Sequence, residues 1–137
     1  MMKEKRILSI DYGKKRIGLA LSDPLLTFAY PFKTLVNDKN LWEKIAEIIK
    51  EKNVAKVVLG LPNEDKNKSL VTIISKFKKE IEKRFKLEVI TWDEEYTSAI
   101  AQERIIESVT KKYKRRDKGL IDSNSAAVIL QEYLNGL

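Results

Sequence analysis

Three groups of acids are the residues best equipped for chemistry: Asp11 after the apolar run Ile7 to Ile10, the corner Asp93-Glu94-Glu95, and Asp122. The chain has no histidine and no cysteine, which excludes disulfides, thiolate or imidazole metal sites, and imidazole acid–base catalysis. Any catalysis therefore rests on carboxylates, Lys, Tyr, Ser or Thr. An ionised carboxylate resists leaving water, so an Asp at the mouth of a strand usually has a partner there. Taken singly, each acid also has a purely structural reading. Asp11 could accept backbone hydrogen bonds in its own turn, the 93–95 corner could be solvated, and Asp122 could cap a helix or complement its dipole.

The cations form two clusters. Lys14, Lys15 and Arg16 sit at the tip of a reversal through Tyr12-Gly13, and residues 111–118, KKYKRRDK, hold six basic residues, one acid and one aromatic. In that second segment Lys111, Lys112, Lys114, Arg115, Arg116 and Lys118 could contact phosphates while Tyr113 stacks on a base; the alternative is a solvated loop. The formal charge of +7 suits a polyanionic partner, although a Lys- and Glu-rich surface also serves solubility or growth at high temperature.

The elements that must position these groups follow from periodicity. Ile7 to Ile10 and Ile17 to Leu21 read as a hairpin with a basic tip, Gly13 giving the backbone its freedom to turn. Phe28, Tyr30 and Phe32 through Leu35 suggest a third strand, which Pro31 confines to an edge or an end. Leu41, Trp42, Ile45, Ile48 and Ile49 recur at helical spacing after Asn37, Asp38 or Asn40 as cap. Val54 to Leu59 reads as an interior strand stopped at Gly60-Leu61-Pro62. Leu70, Ile73, Ile74, Phe77 and Ile81 stripe a second helix, and Leu87 to Trp92 forms a fifth strand. A helix from Thr97 or Ser98 carrying Ala101, Ile105 and Val109 follows. The final helix, Ile121 to Leu134, turns Ala126, Ile129, Leu130, Tyr133 and Leu134 inward and holds Asp122 in its first turn.

This order predicts an α/β fold: an antiparallel meander and two crossover units, giving a five-stranded mixed sheet of order 3-2-1-4-5 flanked by helices. With 137 residues and 43% apolar content, one domain spanning 1–137 is expected. No run approaches the roughly 20 apolar residues of a membrane span, so a cytoplasmic protein without membrane contact is expected. Ligand sites in such sheets gather at the carboxyl ends of the parallel strands, which here are Asp11, Gly60-Leu61-Pro62 and Asp93-Glu94. Neighbouring carboxylates repel, and a divalent cation is the simplest way to neutralise them. An all-oxygen site favours Mg²⁺ or Mn²⁺ over Zn²⁺. Two such ions about 4 Å apart would serve phosphoryl chemistry, one activating water and the other stabilising the departing oxygen.

The motifs also resemble a known family. Asp11-Tyr12-Gly13-Lys14-Lys15-Arg16-Ile17-Gly18-Leu19-Ala20 resembles the opening D-x-G-x-K-R-I-G-L-A of the YqgF family, also called RuvX, the Holliday junction resolvase-like nucleases. Gly60-Leu61-Pro62, Asp93-Glu94 before Tyr96-Thr97-Ser98, and Lys118-Gly119-Leu120-Ile121-Asp122 with Ala126-Ala127-Val128-Ile129-Leu130-Gln131 are similar to its later motifs, so the resemblance spans the chain. It implies a ribonuclease H-like fold, an Mg²⁺ or Mn²⁺ site formed by Asp11, Glu94 and Asp122, and an endonuclease maturing the 5′ end of 16S ribosomal RNA, with structured RNA and the ribosome as partners. Two features depart from the family pattern. Glu95 stands where the family has Arg, adding a negative charge beside the expected site, and the loop Asn63 to Lys68 is short and lacks glycine.

Three other functions compete with that expectation. One is Holliday junction resolution on branched DNA. Another is a non-catalytic nucleic-acid or ribosome-binding module, for which Glu95 is the best argument. The last follows from the Asp-x-Gly turn shared with sugar kinases and actin-like ATPases, which close two such domains over a nucleotide where this chain has one.

Overall fold

A computed structural model of the chain describes residues 5–62, 68–93 and 118–137, with 118–122 described by their backbone. The described strands are β1 (Arg6–Asp11), β2 (Arg16–Ser22), β3 (Ala29–Val36), β4 (Val54–Leu61) and β5 (Glu88–Asp93). The described helices are α1 (Leu41–Glu51), α2 (Lys68–Phe85) and α3 (Lys118–Asn135). The expected helix after Thr97 lies outside the described residues.

The strands form one mixed sheet in the order β3-β2-β1-β4-β5, as the connection rules require. β1 pairs antiparallel with β2 and parallel with β4, and β5 continues the parallel side. β3 is an edge strand, where the missing N–H of Pro31 costs no ladder bond. Its register shifts at this point, Ala20 pairing with Pro31 and Leu19 with Lys33, so Phe32 is the extra residue of a bulge.

Strand alternation divides the apolar residues between two faces. Leu8, Ile10, Ile17, Leu19, Leu21, Val57, Leu59 and Val89 face α1 and α2, which add Leu41, Ile45, Ile48, Ile74, Phe77 and Ile81 to one core. Ile7, Ala20 and Val58 face α3, which adds Ala126, Ala127, Ile129, Leu130, Tyr133 and Leu134 to a second core. Trp92 joins it through an edge-on contact with Tyr133, ring centroids 5.7 Å apart. Two cores on opposite sides explain why central strands read as almost unbroken apolar runs.

α3 begins at Lys118, three residues earlier than its apolar pattern suggests, so Gly119 lies inside the helix and Asp122 beyond its first turn. Asp122 is therefore neither the cap nor a first-turn acid. At α1, Asn40 occupies the cap position without a side-chain cap bond; the Asp38 carboxylate accepts from the Asn40 N–H at 2.9 Å instead.

Asp23 fastens the connection between β2 and β3. Its Oδ1 accepts from the N–H groups of Phe28 (2.8 Å) and Thr27 (2.7 Å). These bonds, that from Phe28 foremost, hold the Asp23 carboxyl below its ordinary value of 3.8. A carboxyl depressed in the folded state stabilises the fold above its unfolded value and loses that contribution as pH falls below it. Asp23→Asn is therefore expected to destabilise at about pH 6, with the gap to the parent narrowing as the solution is acidified past 3.8. Urea titrations of both proteins at several pH values measure this; a gap independent of pH contradicts it.

Candidate functional site

Asp11 ends β1, the strand paired on both sides at the carboxyl end of the parallel set. Pleating places it on the α3 face, in line with Ile7 and Ser9. Across the ladder it pairs with Gly18; on the other side Ile10 pairs with Leu59, so Gly60 is the next residue alongside. Neither flanking glycine carries a side chain, so no side chain from the neighbouring strands stands directly beside this half-buried carboxylate. Further along the same row, Gly18 pairs with Thr34 and Gly60 with Trp92.

Three contacts set the course of α3 over this row. Ser123 Oγ lies 2.7 Å from Thr34 Oγ1 at the Asp11 end of the sheet. Ser9 Oγ donates to the Ala126 carbonyl at 2.8 Å, two residues back along β1. Gln131 then spans the start of β3, accepting from Ala29 N–H at 2.9 Å and donating to Thr27 C=O at 3.1 Å. Helix numbering thus rises away from Asp11, and the amino-terminal part of α3 lies at the Asp11 end. Asp122 directly precedes Ser123, so the backbone brings these two expected site positions to the same end of the sheet.

Glu94 and Glu95 lie outside the described residues, as do Lys111, Lys112, Lys114, Arg115 and Arg116; Lys118 is placed only as the first residue of α3. Asp93 ends β5 opposite Leu61, on the α1/α2 face, because Ile90 and Trp92 occupy the α3 face. Within the acidic corner, then, Asp93 belongs to the side away from Asp11. Among the described residues there is no group of three or more acids able to hold a metal.

The basic tip is built more firmly than its sequence suggests. Lys14 and Lys15 are exposed and Arg16 is half-buried at the start of β2. Gly13 has no positive φ; it is needed for space, since a Cβ there would come 2.2 Å from the Arg16 carbonyl oxygen. Asn37, an expected helix cap, instead reaches back across the sheet end. Its Nδ2 donates to Gly13 C=O at 2.9 Å and Tyr12 Oη at 3.2 Å, and its backbone N–H donates to Lys15 C=O at 2.9 Å. Tyr12 also packs edge-on against Phe77, centroids 5.0 Å apart. Sequence periodicity gave no sign of Asn37, because these bonds join residues more than twenty positions apart.

The chain matches the family model described as RuvX, Holliday junction resolvase, over residues 5–136. A relative from Sulfurihydrogenibium sp. (strain YO3AOP1) is 38% identical, covering 96% of this chain and 91% of its own. One from Porphyromonas gingivalis is 41% identical, covering 95% and 96%. Both carry the provisional name pre-16S rRNA nuclease. Among solved structures, T. thermophilus RuvC in complex with a Holliday junction substrate superposes with a TM-score of 0.62 at 13% identity, covering 96% of each chain. The Fowlpox virus resolvase bound to Holliday junction DNA gives 0.59 at 19% identity, covering 96% and 97%. The sheet and its helices therefore have the ribonuclease H-like fold of these resolvases.

Proposed function

The chain belongs to the RuvX family of Holliday junction resolvases, and from that membership we propose that it is a metal-dependent endonuclease that hydrolyses phosphodiester bonds while processing the 5′ end of precursor 16S ribosomal RNA. One observation carries the reading: a carboxylate at the end of the central strand, flanked by two glycines and approached by the amino-terminal part of α3. Larger side chains at those two positions would crowd the carboxylate where a phosphate and its counter-ion must approach.

Asp11, Glu94 and Asp122 are the proposed ligands of Mg²⁺ or Mn²⁺. The donor chemistry fits, since the chain supplies only oxygen ligands and this end of the sheet adds the Thr34 and Ser123 hydroxyls. When bound, a divalent ion lowers the pKa of water and stabilises charge on the departing oxygen. The remaining work falls to the protein. Asp11, on a strand held from both sides, keeps its oxygens fixed relative to the scissile phosphate, which lowers the reorganisation needed at reaction. Lys14, Lys15 and Arg16 bind the backbone phosphates, as do the cations of residues 111–118.

Purified protein is expected to cut precursor 16S rRNA with Mn²⁺ or Mg²⁺ and to stop when EDTA is added. Cleavage that persists in EDTA rules out the metal-dependent reading. Binding that survives EDTA with no cleavage at any divalent concentration favours a non-catalytic module, the role to which Glu95 beside the site points. A four-way DNA junction tested with the same preparation separates rRNA processing from junction resolution.

A further inference from the structure

We propose that Asn37 is a positioning residue for substrate binding: it fixes the Tyr12-to-Lys15 turn so that the Lys14 and Lys15 ammoniums meet the phosphates in one preset arrangement. The inference rests on the reading of this tip as a phosphate contact. Asn37 spends two side-chain bonds and one backbone bond on a single turn, to Gly13 C=O (2.9 Å), Tyr12 Oη (3.2 Å) and Lys15 C=O (2.9 Å). The β1–β2 ladder already holds the hairpin as far as Asp11 and Gly18, so the sheet does not require this clamp. What the clamp immobilises is the segment bearing two adjacent exposed lysines. Among the described residues neither lysine forms an ion pair, and both are exposed. Like charges side by side repel, and a mobile loop would let them spread. Held in place, they reach a phosphate backbone without the ordering cost a mobile loop would pay on binding. The same turn begins directly after Asp11, so the clamp also sets the distance between the tip and the proposed reacting centre.

The test measures anisotropy of a fluorescently labelled precursor 16S rRNA fragment at several salt concentrations, and cleavage kinetics with Mn²⁺. It compares the parent, Asn37→Ala, the double variant Lys14→Ala/Lys15→Ala, and the triple variant. Two phosphate contacts are worth about tenfold in affinity over a moderate salt range, so both Asn37→Ala and the lysine pair are expected to weaken binding by up to about tenfold. The slope of log affinity against log salt should become shallower by about 1 to 2, and the loss in cleavage should appear more in KM than in kcat. The triple variant should bind no more weakly than the lysine pair, because Asn37 acts through those lysines. Tyr12→Phe, which removes one of the three bonds and keeps the ring on Phe77, should shift binding the same way by less; it serves if Asn37→Ala does not fold. If the lysine pair weakens binding while Asn37→Ala does nothing, or does the same in both backgrounds, the positioning role is wrong and the tip reading stands. If the lysine variant binds as tightly as the parent, the tip reading fails and takes this proposal with it.

Discussion

Asp11→Asn is expected to reduce cleavage by at least about 10²-fold, because changes that only touch a metal ligand's hydrogen-bond partners already cost about 10- to 100-fold. The substitution keeps the side chain's shape and removes its charge. In the proposed site the charge lies near other acids, so without metal its loss should leave the thermal midpoint unchanged or raise it. The parent should gain stability with rising Mn²⁺, as a ligand bound only by the folded state requires, and Asp11→Asn should gain little. Gel-based cleavage and thermal melting across a Mn²⁺ series read both effects. Equal cleavage by the variant would remove Asp11 from the site.

Leu130→Ala should have the largest effect on the fold. Leu130 is fully buried in the core between α3 and the sheet. Truncating a buried leucine costs about 2 to 5 kcal/mol, partly for the transfer lost and partly for the cavity left. A fall in the urea midpoint at unchanged slope is the expected signature. α3 also carries Asp122, so at temperatures where the variant partly unfolds, cleavage should fall in step with the folded fraction. A loss below about 1 kcal/mol would mean that the helix is not packed as described, since this lies under the range for buried leucine.

Much of this arrangement is written in short-range patterns. Period-two and period-three-to-four recurrence identifies the five described strands and α1, α2 and α3, and Pro31 confines its strand to an edge or an end, of which the sheet shows the edge. Connection rules then sufficed for strand order. What local pattern missed depends on distant contacts or on volume. The start of α3 is hidden in the sequence because Gly119 looks like a loop closure, whereas it is the second residue of the helix. Gly13 looks like a φ requirement and is a spacing requirement set by the Arg16 carbonyl. Asn37 looks like a cap because its type suits one, yet its partners are on another strand's turn. Of the expected site, Asp11 was legible as an acid ending an apolar strand. Asp122 enters through the family resemblance, and the Ser123 and Ala126 contacts of α3 bring its backbone to the Asp11 end.

Those contacts also order events in time. Ser9 and Ala126 are 117 residues apart, and Ala29 and Gln131 are 102 apart. At about 5 to 20 residues per second, a ribosome that has made β1 needs roughly 6 to 25 s more before the helix that covers Ile7 and Ala20 exists. Until then the residues on which α3 packs, Ile7 and Ala20 among them, lack the cover that it gives. Under the proposed reading, a nuclease whose substrate is ribosomal RNA is synthesised by a ribosome in a form that lacks one of its three acids until nearly all of the residues seen here have been joined.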